Sequence, residues 1–432
     1  MKTGTSIVAE CVARYAARLH ADIGTRHHAA SPLGAWLLLA LAGPAASGAD
    51  RAALTAVLGC HIDLAAAAAA ELLARPHQQV ASAAAVWTTS SARPTAGFRQ
   101  WRDSLPAEVA SGELPDQGGL DRWAREHTFG LIDRFPVRWS QDLYLVLATA
   151  LATRVSWQVP FELAPAISLG RASPWSAQVK QVLRTPDQAR GQRGHQQFIA
   201  VSPQVGDVAV HIAVAAGGLI VISVAAQPDV PAADVLAAAH QIGLASATGV
   251  PVPRRALSDL PLGEFPLWLL REEMSAGPDA CTAVLPAWSA RCEHDLRSPS
   301  LGFAAAARAL AGSADPWQAK QAVLARYTRT GFEAAAVTAV GVMMAMRPSH
   351  SRRVAELRFG HPYAVVALTV DEQLHGVGSA PGPWHGLPVF SAWVASPDEA
   401  ADGPQSSDEA AAGPQSSDET PGVRHPAAGD RP

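Results

Sequence analysis

Catalysis needs nucleophiles, acid–base pairs or metal ligands at workable spacing, and this chain offers few of them. GxSxG, HExxH, GxxxxGK[ST] and GxGxxG are all missing from its 432 residues. That removes the sequence signatures of the nucleophile elbow, the zincin helix, the P-loop and the dinucleotide turn. The histidines are scattered, and the adjacent His27 and His28 cannot both face a metal from one helix face. Cys11, Cys60, Cys281 and Cys292 lack the close CxxC pairing of a zinc site and read as reduced thiols, although Cys281 and Cys292 could bridge across a hairpin. A Ser-His-Asp triad leaves no local signature, and nothing points to one. Neither enzymatic activity nor a cofactor nor a metal is expected.

The stretch with the most unusual character is Gly331–Met346, GFEAAAVTAVGVMMAM, with one charge and no proline. Laid out as a strand, it places Phe332, Ala334, Ala336, Thr338, Val340, Val342 and Met344 on one face. Glu333, Ala335, Val337, Ala339, Gly341 and Met343 fall on the other, so the carboxylate is confined to the second face. Such a segment suits the centre of a sheet, yet the RPSHSRR that follows reads as exposed loop. A buried Ala-rich helix ended by Pro348 fits the same residues, and the run alone leaves both readings open.

The surrounding elements follow from periodicity and punctuation. Ser6–Ile23 is an amphipathic helix, GAWLLLALA after Ser31-Pro32 is a buried helix, and Asp50 is expected to cap a helix running to Leu58. Leu64–Ala74 and Leu120–Phe135 read as helices, the latter with Trp123 and Leu131 inward. Val80–Thr88 reads as a strand, and Leu143–Arg154 as either a central strand or a buried helix. VGDVAVHIAVA and LIVISVAA hinge on Gly217-Gly218 as paired strands. Asp234–Ile242 is helical, and Phe265–Leu270, Ala283–Trp288 and Tyr363–Val370 are strand candidates.

Nearly half the residues are apolar (48%) and the net charge is −4, enough for a sizeable core and no match for a nucleic-acid or anionic-membrane surface. The charge is uneven. Beyond Pro397 eight carboxylates face only Arg424 and Arg431, and GPQSSDE occurs at 403–409 and again at 413–419. The expected organisation is one domain over 1–397 and a disordered acidic tail over 398–432. No apolar run reaches bilayer length. The N-terminus has no h-region or cleavage site, so a cytoplasmic protein is expected.

Several segments, in order, resemble the serpins. SPLGAWLLLALAGPAASGADRAALTAVLG (31–59) resembles the family's SPxS helix and the helix after it. LDRWAREHTFGLIDRF (120–135) matches a family pattern at Trp123, Thr128, Gly130 and Ile132, and LVLATALATRVSWQVPF (145–161) matches another at Ala150, Trp157 and Phe161. The reactive-loop hinge pattern is matched at Gly331, Glu333, Ala334, Ala335, Ala336 and Thr338. HPYAVVAL (361–368) and PVFSAWVASP (388–397) resemble the closing strands.

The resemblance implies an α+β serpin fold: a large central mixed sheet, further sheets, eight or nine helices and an exposed reactive loop. It implies a monomeric suicide inhibitor of serine-type endopeptidases, with papain-like cysteine proteases as further targets. The cleaved loop would enter the central sheet as an added strand. By family spacing the bait bond is Ala345-Met346, suiting elastase-, chymotrypsin- or subtilisin-like enzymes, while Arg352-Arg353 is cleavable but too distant for trapping. Ser31, Thr149, Trp157 and Gln321 fall in the sheet-opening region. In family terms extracellular location is the alternative.

The departures imply a second function, a non-inhibitory binding or carrier protein. Phe332 stands where the family carries a small hinge residue, which predicts overpacking of roughly 1–3 kcal/mol on entry. Arg329 and Ala287 stand where an ion pair is usual, Thr149 and Thr153 replace Asn and Phe, Gly34 replaces a serine, and Gln321 replaces a histidine.

Overall fold

The computed structural model describes residues 4–89, 96–140, 143, 145–186, 194–275, 277–311, 317–332, 350–371 and 381–401. Helix α1 (Gly4–Ile23) and strand β1 (His28–Ala30) lead to α2 (Pro32–Ala42), every residue of which is buried. Ser31 caps α2 by accepting a hydrogen bond from the Gly34 amide, and Pro32 follows at the first helical position, where its missing N–H costs nothing. Next come α3 (Gly48–Leu58), α4 (Ile62–Ala74), β2 (Val80–Thr88), α5 (Ala96–Asp103), β3 (Val109–Glu113) and α6 (Gln117–Glu126). Strands β4 (Leu145–Thr153), β5 (Val155–Ser156), β6 (Glu162–Pro165), β7 (Gln181–Arg184), β8 (His195–Ser202), β9 (Gly206–Ala215) and β10 (Leu219–Ala225) precede α7 (Ala232–Thr248). Then come β11 (Gly263–Glu264), β12 (Trp268–Ser275), β13 (Ala280–Leu285), β14 (Trp288–Asp295) and α8 (Phe303–Ala311). The chain closes with β15 (Lys320–Tyr327), β16 (Gly331–Phe332), β17 (His350–Arg358), β18 (Tyr363–Thr369) and β19 (Pro388–Val394).

Two six-stranded sheets are ordered β1-β19-β18-β10-β9-β8 and β11-β12-β17-β13-β7-β6. A central layer comes in two pieces, β14-β15-β16-β5 and β3-β2-β4. The pieces are linked by the chain itself, since only Arg154 separates β4 from β5. The main core lies between these sheets and α1–α4, with smaller cores under α7 and under α6. The architecture is α+β with eight α-helices among the described residues. No single helix there is long and apolar enough to cross a membrane.

Much of the expected order appears. Leu145–Thr153 forms a strand, which resolves the ambiguity of that apolar run. At the β9–β10 hairpin the three-residue connection between the paired Ala215 and Leu219 includes Gly217 (φ 78°) and Gly218 (φ 85°), both in left-handed backbone that favours glycine. A Cβ on Gly218 would sit 2.4 Å from the Val370 carbonyl oxygen, so glycine is needed there for space as well as for φ.

Several expectations are corrected. Asp50 lies inside the first turn of α3 behind Ser47, where its carboxylate accepts from Arg308 at 2.7 Å instead of capping the helix. The helix expected over 120–135 ends at Glu126, because Phe129 (φ 53°) and Gly130 (φ 76°) turn left-handed and the Gly130 amide reaches back to the Arg125 carbonyl. Thr128 fixes that turn, donating to the Ala124 carbonyl and accepting from the Ile132 amide. Leu131 is only half-buried. The strand expected over Ala283–Trp288 is two strands in different sheets, parted at Pro286, which has no N–H for a ladder. All four cysteines are free thiols, and Cys281 and Cys292 sit on β13 and β14 of those different sheets, so no hairpin joins them. Arg352 and Arg353 belong to β17 instead of an exposed loop and pair with Glu273 (2.5 Å) and Glu272 (3.1 Å) on β12. The body also runs past Pro397: the Asp398 amide donates to the Ala287 carbonyl, Glu399 accepts from the Lys180 and Gln181 amides, and Ala400 is buried. Residues 402–432, with both GPQSSDE copies, lie outside the described residues.

Candidate functional site

Strands β4 and β15 are the inner edges of the two central-sheet pieces, and no backbone ladder joins them. Along β4, Leu145, Leu147, Thr149 and Leu151 alternate with buried Val146, Ala148 and Ala150. The first set faces the main core yet is only half-buried; Val146 and Ala148 pack under α6. Two cavities of about 110 and 60 Å³ lie along this seam, lined by β4 residues on one side and by Lys320 and Gln321 of β15 on the other. Leu38 of α2 contributes to both.

The polar groups beside the seam bond to the start of α2 instead of to each other. Gln321 on β15 pairs reciprocally with the Ser31 backbone, its Oε1 accepting from the amide at 2.9 Å and its Nε2 donating to the carbonyl at 2.8 Å. Ser31 Oγ donates to the Val389 carbonyl, and Thr149 Oγ1 on β4 donates to the Gly34 carbonyl at 3.0 Å. Gly34 makes the close approach possible: a Cβ there would meet Ser31 Oγ at 3.2 Å and Thr149 Oγ1 at 3.4 Å. Each half of the sheet is thus tied to the helix behind it, and no side-chain bond among these residues crosses the seam.

At one end the seam is already filled. Gly331 and Phe332 form β16, with Phe332 paired to Tyr327 of β15 and to Val155 of β5. The Phe332 ring is buried at 5% exposure between Trp288 and Phe390, 6.3 and 6.5 Å away by ring centroids. Trp288 in turn stacks on Tyr327 at 6.0 Å. An aromatic cage thus holds the Phe332 ring. The turn before it is clamped from the β5 side: Trp157 donates its Nε1–H to the Thr328 carbonyl at 2.9 Å and its amide to the Thr330 carbonyl, while the Phe161 amide reaches the Arg329 carbonyl. Thr328 Oγ1 closes the turn onto the Gly331 carbonyl at 3.0 Å.

Beside that clamp, His195 and His211 are buried, with His195 donating from Nε2 to the Val159 carbonyl and accepting on Nδ1 from His211. Burial lowers the pKa of both, that of His195 to about 4. A second buried chain runs from the Arg26 carbonyl through His28 and His20 to Ser391, with contacts of 2.6–2.7 Å.

The structure brings Ser31, Thr149, Trp157, Gln321, Gly331 and Phe332 to this one seam. Glu333, Ala334, Ala335, Ala336, Thr338, Ala345 and Met346 lie outside the described residues. Sequence reasoning missed Trp288, Tyr327 and Phe390, the cage around Phe332; the only hint was an aromatic near the end of each of their apolar runs.

No family model and no curated protein matches the sequence. Solved structures do match. A native thermophilic serpin, tengpin, superposes with TM-score 0.62 at 12% identity, over 91% of this chain and 94% of its own. Serpin48 of the insect Tenebrio molitor gives 0.59 at 14%, over 90% and 97%. Human thyroxine-binding globulin complexed with thyroxine gives 0.59 at 12%, over 91% and 100%. With a split central sheet and the short strand Gly331–Phe332 lodged at one end of the split, this chain adopts the serpin fold.

Proposed function

We propose that this protein is a serpin acting, as a monomer, as a suicide inhibitor of serine-type endopeptidases of elastase-, chymotrypsin- or subtilisin-like specificity. The observation that carries the reading is the seam itself: among the described residues, edges of β4 and β15 that no ladder joins, half-buried leucines facing the gap, and Gly331–Phe332 already paired at one end. A strand continuing from Phe332 would add ladder bonds on both edges and cover Leu145, Leu147 and Leu151. Each apolar side chain so covered favours insertion by roughly 25 cal/mol per Å². The alternation of Glu333–Met344 confines its carboxylate to one face, and the segment has no proline to interrupt a ladder. Attack of the protease serine on the Ala345 carbonyl expels the Met346 amine and leaves an acyl-enzyme, which insertion carries away before water can release it. The chain needs no catalytic group of its own in this reading.

The test is incubation with elastase and with subtilisin. An SDS-stable complex, together with a cut at Ala345-Met346, is the expected result. Clean cleavage there, with no complex and no rise in Tm of the cleaved protein, defeats inhibition and insertion alike.

A carrier role is favoured by a different feature. A cleft of about 970 Å³ beside the C-terminal end of α7 is walled by Ile212, Val214, Ile220 and Val252, with Arg254, His385 and Asp371 also lining it. Apolar walls with a cation nearby suit an amphipathic aromatic acid. Saturable fluorescence of anilinonaphthalene sulfonate, lost in Ile220→Glu, with no protease complex formed, selects this reading.

A further inference from the structure

Strand β1 is the junction between the β8–β10, β18 and β19 sheet and the β14–β15 piece of the split layer, and its bonds to the two sides differ in kind. On one side it runs antiparallel to β19 in a backbone ladder, with Ala29 opposite Ala392 and Ala30 opposite Ser391. On the other side no ladder joins it to β14 or β15 among the described residues, and side chains make the connection. His294 and Gln321 face each other directly in the β14–β15 register. His294 donates from Nε2 to the Ala29 carbonyl at 2.7 Å, two residues before the Ser31 backbone that Gln321 holds. Further along, His27 donates from Nε2 to the Ser289 carbonyl of β14 and accepts on Nδ1 from the Ala395 and Ser396 amides.

We propose that His294 is the positioning residue of this joint and makes it acid-labile. In its neutral form it holds the β14–β15 edge against β1 and the start of α2; protonation lets that edge move away and widens the seam. The consequence, faster entry of a strand into the gap, rests on the inhibitor reading, whereas the joint itself does not.

Geometry decides the direction. With the Nε2–H committed to Ala29, the His294 Nδ1 is buried and has no partner. A proton there would create a charged N–H with nothing to accept it. The groups that face the ring give no relief. From β1 comes the His28 ring, edge-on at 6.1 Å, whose nitrogens are engaged by the Arg26 carbonyl and by His20 of α1. Behind His20 stand His240 of α7 at 6.3 Å and the Ser391 hydroxyl of β19. Gln321 of β15 is neutral, and β14 itself carries the Cys292 thiol on the same face. Burial, joined by the Arg26 guanidinium and opposed by the Ala29 bond, holds His294 below its ordinary value of 6.5. Once the joint opens, the ring reaches water and takes up its proton at that ordinary value. The closed form is therefore fully favoured above pH 6.5 and loses favour as pH falls below it.

The experiment follows two signals on the full chain between about pH 7.5 and 5.5. One is hydrogen-exchange protection at the Ser31 amide, corrected for the intrinsic effect of pH; the other is the annealing rate of a synthetic 333–344 peptide. One proton taken up on opening should lower Ser31 protection about tenfold over that range and speed annealing in step. His294→Gln, whose side-chain amide still reaches the Ala29 carbonyl as a donor but does not titrate, should stay closed and lose most of the pH dependence. Ser31 protection that is level across the range in the wild-type protein, or that falls equally in His294→Gln, overturns the proposal. A peptide that anneals at no pH defeats the inhibitor reading alone, because the Ser31 amide still decides on the joint.

Discussion

Two sheets of this molecule contain strands of similar composition, and one is sealed while the other is split. Strand β10, LIVISVA, has all seven residues buried, because β9 and β18 flank it and both of its faces are covered by core. Among the described residues strand β4, LVLATALAT, is flanked by β2 alone, and its core-facing residues remain half-buried along the seam with β15. Composition is nearly the same in both; neighbours make the difference. A sheet with an open interior edge carries apolar surface and backbone groups that an added strand could use. The sealed sheet has no such vacancy.

Acid should affect the sealed region most. The His28–His20–Ser391 chain is bonded as neutral imidazoles, and burial holds His28 and His240 at about 4 and also lowers His20. The unfolded chain takes up these protons near 6.5 and the folded chain does not until near 4. Stability is therefore full above pH 6.5 and falls as pH drops toward 4, by about 1.4 kcal/mol per pH unit for each such group. A Tm profile that stays flat between pH 7 and 4.5 contradicts this.

Truncations then compare the two sheets directly. Phe332→Ala should cost about 4 kcal/mol and Ile222→Ala about 3, because both side chains are buried on all sides. Leu147→Ala, on the seam, should cost only about 1 kcal/mol, since its side chain already faces the gap. Chemical denaturation midpoints measure all three, and equal losses at Leu147 and Ile222 would erase the distinction between the sheets. Gln321→Leu falls between them. It leaves the Ser31 amide and carbonyl without their partner, at about 2 kcal/mol, and should speed opening of the seam, read as faster annealing of a synthetic 333–344 peptide. Unchanged annealing would remove Gln321 from control of the gap.

Legibility in the sequence follows the range of the interactions that decide each feature. Helix α2, strand β2 and the β9–β10 hairpin are set by local rules: Ser31-Pro32 at a helix start, β-branched and small apolar runs, and two glycines at positive φ. The extra helical turns expected after Glu126 are lost to one residue, Phe129, whose left-handed backbone no pattern announced. The strand expected over Ala283–Trp288 fails because a run of apolar residues looks continuous across two sheets. At the site, Ser31, Gln321, Thr149 and Trp157 are placed by resemblance to known segments, but their bonds are not. The reciprocal Gln321–Ser31 pair joins residues 290 apart in sequence.

The sequence by itself determined an apolar, proline-free segment after Gly331 able to form a strand, the chain of elements around it, and the lack of any familiar catalytic motif. The tertiary structure decided that β4 and β15 stay apart, that Phe332 is housed among Trp288, Tyr327 and Phe390, and that Gln321 pairs with the Ser31 backbone. The physical reason is common to all three. Local backbone preference fixes what a segment can become. Which edges are left unpaired, and which side chains meet, depends on contacts between residues far apart in the chain, and those exist only once the whole core has closed.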